Sequence, residues 1–119
     1  MRVEVHGKNF DISEALRVHV TKRLEYALNR FDTRIKVVRV RLEDINGPRG
    51  GVDKQCRIEV TGVRNLTSIV EQNDHDLYLA IDKAADRIGQ TVARAVDKIR
   101  DAEVSAREAY SGEPFDNVQ

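Results

Sequence analysis

The chain has 119 residues, of which 40% are hydrophobic and 34% charged, and its basic and acidic residues are equal in number. This length and composition suit one soluble folded domain with a short appendage. They argue against a membrane-spanning protein, because no stretch approaches the roughly 20 apolar residues that cross a bilayer. A single cysteine, Cys56, excludes an internal disulfide, and the first residues lack the apolar core of a secretory signal. We therefore expect a cytoplasmic protein.

The charges are distributed unevenly along the chain. Residues 1–100 carry 19 Lys and Arg against 15 Asp and Glu, whereas residues 101–119 carry one Arg against five acids. A basic body favours a polyanionic partner more than the zero net charge suggests. We predict a folded domain over residues 1–100 and an acidic, disordered tail over residues 101–119, although a tail that merely aids solubility fits the same pattern.

The first elements are a strand and a helix. Residues 2–6 alternate apolar and polar side chains, which is typical of a strand. Ser13 then stands where an N-cap belongs, and it predicts the start of a helix over about 13–30. The apolar face of this helix has members three or four residues apart: Ile12, Leu16, Val20, Leu24, Ala27, Leu28 and Phe31.

Three further strands and a long helix follow. Residues 35–43, 55–61 and 66–71 alternate in the manner of strands, and residues 44–54 between the first two contain three Gly and one Pro, which indicates a loop. That loop lacks the Gly-Lys-Ser/Thr ending of a phosphate-binding loop. An apolar stripe predicts the last helix over about 76–100, and its members are Leu77, Ile81, Ala84, Ile88, Val92, Ala95 and Ile99.

This order predicts an α+β fold, a single β-α-β-β-β-α domain. Two amphipathic helices and four half-polar strands suggest a four-stranded sheet with both helices packed on one face. The first helix would cross over between two parallel strands, and the other pairs would be antiparallel. The second sheet face would meet water, which suits its Arg, Lys and Glu side chains.

Basic side chains gather along both predicted helices. On a helical wheel Lys83, Arg87, Arg94 and Lys98 fall within about 60° of one another, beside the apolar stripe. On the first helix Arg23 and Arg30 lie almost in register, with Lys22 nearby. We expect the two sets to line one common groove that binds a phosphate backbone. The alternative is that they are ordinary surface cations whose stems cover the edge of the core.

No catalytic or metal-binding pattern is visible. His6, His19 and His75 fall on different elements, and no ligand spacing joins them to Cys56. No Ser or Cys stands in a recognisable nucleophile setting. We therefore expect a protein that is not an enzyme and that uses no cofactor, no metal and no small-molecule substrate.

Two segments resemble a known family. The opening MRVEVHGKNFDISEALRVHVTKRLEYALNRF looks like the first strand and helix of the hibernation-promoting factor and ribosome-associated inhibitor family, also called sigma modulation proteins. The segment DHDLYLAIDKAADRI resembles the start of that family's second helix, and VARAVDKIR resembles its continuation. The resemblance covers essentially residues 1–100, and at 119 residues we expect a short form of the family.

The resemblance implies a domain similar to double-stranded RNA-binding domains that lodges on the small ribosomal subunit over the tRNA and mRNA positions. There it would block the decoding channel and keep idle ribosomes inactive, as a monomer away from the ribosome. Gln90 stands where well-studied members carry Arg. The side chains expected to face ribosomal RNA are Lys22, Arg23, Arg30, Lys83, Arg87, Gln90, Arg94 and Lys98.

Two other functions fit the residues alone. A general double-stranded RNA-binding module would have a similar layout and would bind naked duplexes by their shape. A protein-interaction domain would use the open sheet face or an edge strand. Whether the chain promotes or prevents pairing of ribosomes is open at this point.

Overall fold

A computed structural model of the chain describes residues 1–9, 11–45 and 53–111. Its strands and helices follow the predicted order: β1 (Arg2–Lys8), α1 (Glu14–Leu28), β2 (Ile35–Asp44), β3 (Lys54–Gly62), β4 (Thr67–Asp74) and α2 (Leu77–Ser111). The predicted α+β fold is therefore confirmed.

The four strands form one mixed sheet in the order β1-β2-β3-β4. Strand β1 pairs with β2 in parallel, and β2–β3 and β3–β4 are antiparallel. The parallel pair needs a long crossover connection, and α1 supplies it. This is the predicted topology.

The core lies between one face of the sheet and the two helices. Every second side chain of the central strands points into it, including Val38, Val40 and Leu42 of β2 and Cys56, Ile58 and Val60 of β3. The helices add their apolar faces, with Leu24 and Ile88 fully buried. Both helices therefore lie on the same sheet face, and the period-two and helical patterns read from the sequence are confirmed.

Side-chain caps begin both helices. The Ser13 hydroxyl accepts a hydrogen bond from the Leu16 N–H at 3.1 Å. The Asp76 carboxylate accepts one from the Tyr78 N–H at 2.8 Å. Each cap satisfies an N–H that has no partner inside its helix. Helix α1 ends at Leu28, two residues before its predicted end, and a 3-10 turn at Asn29–Phe31 continues the chain.

Helix α2 is longer than predicted. The sequence pattern placed its end near residue 100, but the helix runs to Ser111 and this prediction was wrong. Glu103 still belongs to the folded body, because its carboxylate lies 3.5 Å from Arg34 and 3.4 Å from Arg64. The apolar stripe fades where the core ends, yet good helix formers such as Ala102 and Ala106 keep the helix going.

Residue 100, where the sequence predicted the folded domain to end, lies inside α2, and residues 101–111 of the predicted tail are helical. Residues 112–119 of the predicted tail lie outside the described residues, as do residues 46–52 of the predicted loop. Neither helix within the described ranges carries a stretch apolar enough to span a bilayer.

Candidate nucleic-acid interface

Helices α1 and α2 approach each other closely at Gly89. A Cβ atom added there would lie 3.3 Å from the backbone oxygen of Ala27 on α1, so a small residue lets the two helices pack side by side. Further along this seam the His19 ring nitrogen Nε2 lies 2.7 Å from the Asp82 carboxylate, and the His19 ring packs edge-on against Tyr78. The seam is therefore both a packing and a polar contact.

Arg23 of α1 is held in this seam by two carboxylates. Its Nε lies 3.1 Å from Asp82 and its Nη2 lies 2.9 Å from Asp86. Nη2 also donates to the backbone oxygen of Asp82 at 3.3 Å. The side chain is only 28% exposed. Arg23 thus joins the two helices, and its charge is neutralised by the acidic sector of α2.

Two cations of α2 reach in the opposite direction, towards β4. The Lys83 ammonium lies 2.6 Å from the Asp74 carboxylate at the end of β4. Arg87 donates to the backbone oxygen of Glu71 and to the side-chain oxygen of Gln72, both at 2.9 Å. Lys83 is therefore paired with an acid, whereas Arg87 keeps its net charge because both of its acceptors are neutral.

Arg94 and Lys98 continue the same flank of α2. Both are exposed, and within the described part of the chain neither has a hydrogen-bond or ion-pair partner. They line a hollow between α2 and β4 together with Thr67, Ser68 and Thr91. The hollow therefore offers two unpaired cations side by side. We call the four cations on this flank the β4-side strip: Lys83, Arg87, Arg94 and Lys98.

The prediction that the cations of both helices line a common groove was wrong. The β4-side strip borders β4, whereas α1 lies along the other flank of α2, where Arg23 meets Asp82 and Asp86. A helical wheel shows which side chains share a flank, but it does not show which neighbour covers that flank. That depends on tertiary packing, which places α1 on one flank of α2 and β4 on the other.

Two of the remaining predicted side chains lie apart from the strip. Arg30 stacks over the Phe31 ring at 4.6 Å and borders a hollow with Asp97 and Arg100. Lys22 lies on the outer side of α1 beside Arg17 and Glu25. Gln90 is exposed on α2, three residues after Arg87 and four before Arg94, so it lies beside the strip.

Asp74 is a site residue that the sequence did not single out. The hydrogen bond from Lys83, helped by one from the Asp76 N–H at 3.1 Å, holds the pKa of the Asp74 carboxyl below its usual value. Asp74 thus caps the turn before α2 and also neutralises the first cation of the strip. Its partner is nine residues away, and no local pattern predicts the pairing.

Comparison with known proteins identifies the family. A family model described as "Sigma 54 modulation protein / S30EA ribosomal protein" matches residues 3–100. The chain belongs to this family. The match ends before the last turns of α2 and includes every member of the β4-side strip.

Curated relatives agree with this assignment. The chain is 28% identical over 99 residues to a protein of Picosynechococcus named "Ribosome hibernation promotion factor", and 27% identical over 101 residues to one of the same name from Bacillus subtilis. These matches cover 82% and 83% of this chain but 50% of each relative. The chain therefore spans about half the length of the curated relatives that it matches.

Two solved structures share the fold. The N-terminal domain of Protein Y from Thermus thermophilus matches with a TM-score of 0.67 and 30% identity, covering 79% of this chain and 98% of that one. A structure described as a ribosomal subunit interface protein from Coxiella burnetii matches with a TM-score of 0.68 and 21% identity, covering 79% of this chain and 96% of that one. The second likeness concerns the fold alone.

Proposed function

We propose that this chain is a ribosome hibernation factor. It binds the small ribosomal subunit and its RNA at the tRNA and mRNA decoding channel and keeps ribosomes inactive under stress or in stationary phase. It acts in the cytoplasm, as a monomer away from the ribosome, by occupying a site rather than by catalysis. The family match over residues 3–100 and the names of the curated relatives support this proposal.

The observation that carries the proposal is the pair of unpaired cations on the β4-side strip. Arg94 and Lys98 are exposed, one helical turn apart, and they border a hollow lined by hydroxyl groups. A phosphate there would receive charge from both cations without displacing any carboxylate. Asp97 and Asp101 each follow one of these cations by three residues on α2, yet among the described residues neither acid forms an ion pair with Arg94 or Lys98.

The partners of each cation support an order of importance for RNA binding within the strip. Arg94 and Lys98 are ready to bind a phosphate. Arg87 must first exchange its hydrogen bonds to Glu71 and Gln72, and Lys83 must leave a carboxylate at 2.6 Å. Alanine substitutions should therefore weaken RNA binding most at Arg94 and Lys98, less at Arg87 and least at Lys83.

The cations of α1 contribute less in this proposal. Arg23 is committed to Asp82 and Asp86, so it orients the helices rather than binding RNA. Lys22 and Arg30 are exposed and lie away from the strip. The RNA-binding surface is thus centred on α2 and β4.

Cosedimentation with purified small subunits over a series of salt concentrations tests this proposal. The variant R94A/K98A loses two phosphate contacts, so the slope of log K against log salt should fall by about 1.8 units. The matched control R17A/R107A also removes two exposed positive charges, but from outside the strip. It should keep the wild-type slope.

The proposal fails if R94A/K98A binds as the control does. A parallel gel shift with plain duplex RNA separates it from a general RNA-binding module, because such a module would bind the duplex as tightly as the subunit.

A further inference from the structure

The sheet face turned away from the helices carries rows of side chains, one from each strand, set by the pairing register. In one row Glu4, Arg39 and Glu59 alternate in sign, and Arg39 lies 3.3 Å from Glu4 and 3.7 Å from Glu59. In a second row Lys8 of β1 faces Glu43 of β2, with 3.7 Å between the charged atoms. These two rows place each cation opposite an acid.

The row between them does not. His6, Arg41 and Arg57 stand opposite one another on β1, β2 and β3, and the row reaches an acid only at Glu71 of β4. Glu71 already binds Arg57 at 3.1 Å. Within the described ranges Arg41 has no hydrogen-bond or ion-pair partner. Like charges on neighbouring strands destabilise a sheet, so this row has a cost that a bound anion would relieve.

The acids closest to Arg41 along and across the strands are engaged elsewhere. Glu43 binds Lys8, and Glu59 binds Arg39. Glu4 takes Arg2 at 3.1 Å and Arg39 at 3.3 Å. The unpaired guanidinium therefore sits at the centre of a salt-bridged face, where neighbouring strands hold it at a fixed spacing.

The surface around Arg41 is concave. The polar and charged side chains that line a hollow on this face are His6, Lys8, Arg39, Arg41, Arg57 and Glu59. Arg41 presents an unpaired planar guanidinium group, which matches the oxygens of a phosphate in a bidentate manner. The guanidinium of Arg57 on the adjacent strand adds positive charge, although Glu71 already binds it at 3.1 Å. An anionic phosphate group suits such a hollow in both charge and geometry.

We propose that this hollow, centred on Arg41, binds a backbone phosphate of RNA on the side of the protein opposite to the helices. The proposal rests on the proposed function for the identity of the RNA. It adds that the chain contacts RNA on two opposite faces, through the β4-side strip and through the open sheet face. The protein would thus bridge two RNA segments rather than lie on one.

The charge reversal R41E separates binding from folding. It replaces a like charge opposite Arg57 with an acid, so the folded protein should be at least as stable as the wild type. Binding to small subunits should nevertheless weaken by about tenfold or more, as expected for the loss of a charged hydrogen bond. The salt slope should fall by about one unit.

The matched control is R107E, which reverses the charge of one exposed cation on α2 beyond Glu103. Thermal unfolding is measured for both variants. If R41E is stable and binds as R107E does, the sheet-face site is refuted. If R41E does not fold, R41Q replaces it, and wild-type binding by R41Q refutes the site in the same way.

A photo-crosslinking residue at position 41 identifies the partner. A crosslink to ribosomal RNA supports the site, and a crosslink to a ribosomal protein alone overturns it. The variant R94A/K98A, run beside R41E, keeps the two proposals apart. Weak binding by R94A/K98A with full binding by R41E refutes only the sheet-face site, whereas the reverse pattern refutes only the strip.

Discussion

Asp74 offers a direct way to strengthen RNA binding by removing a single charge. In the wild type its carboxylate accepts the Asp76 N–H at 3.1 Å and binds the Lys83 ammonium at 2.6 Å. The substitution D74N keeps a side-chain oxygen for the N–H but removes the anion. Lys83 then becomes a free cation of the β4-side strip.

The expected magnitude follows from counterion release. One additional phosphate contact steepens the salt slope by about 0.9 units, so between about 50 and 200 mM salt the affinity of D74N should fall about 3.5-fold more than that of the wild type. At low salt D74N should bind more tightly than the wild type. A double-mutant cycle with K83A tests the cause, because D74N should gain far less when Lys83 is absent.

The D74N substitution should lower the stability of the fold, although it strengthens RNA binding. The pKa of Asp74 is lowered by the hydrogen bond from Lys83, so the carboxylate stabilises the fold above its unfolded pKa of about 3.9. This contribution is lost as the pH falls through the lower folded value. Thermal unfolding should therefore separate D74N from the wild type at pH 7, with the difference shrinking in acid. A folded D74N that binds no better than the wild type would refute this account of Lys83.

Three further predictions concern the core and the helix seam. L24A removes a fully buried side chain and should lower the free energy of unfolding by about 2–5 kcal/mol in a denaturant titration. V18A, at a position that is 41% exposed, should change it by less than about 0.5 kcal/mol, and equal effects would contradict the packing described. Burial raises the pKa of the Cys56 thiol to about 12, so a thiol reagent at pH 8 should label the native protein far more slowly than the unfolded one. Rapid native labelling would show that the core opens there. R23A should lower stability but leave the salt slope of subunit binding unchanged, and a reduced slope would return Arg23 to the RNA-binding surface.

Much of the fold could be predicted from local patterns. Alternation in β2 and β3 marked the side chains that are buried, and Ser13 marked the start of α1. These features depend on neighbours in the chain, whose spacing is fixed by strand or helix geometry. The end of α2 could not be predicted in this way, because the apolar stripe reports burial and the helix continues past the core to Ser111.

The candidate site was less predictable than the fold. The helical wheel grouped the cations of α2 correctly on one flank, but their partners come from β4, which the wheel does not contain. It also could not show that Arg23 meets Asp82 and Asp86 across the seam between the helices. The cations counted on a helix face therefore overstate the charge that is available for binding, because tertiary packing brings carboxylates close to some of them.

A structure of this chain bound to the small ribosomal subunit would test the central claim most directly. The account predicts that Arg94 and Lys98 lie within hydrogen-bonding distance, about 3 Å, of phosphate oxygens of ribosomal RNA, with α2 and β4 facing that RNA. A complex in which the β4-side strip faces solvent, while α1 or another surface makes the RNA contacts, would contradict it.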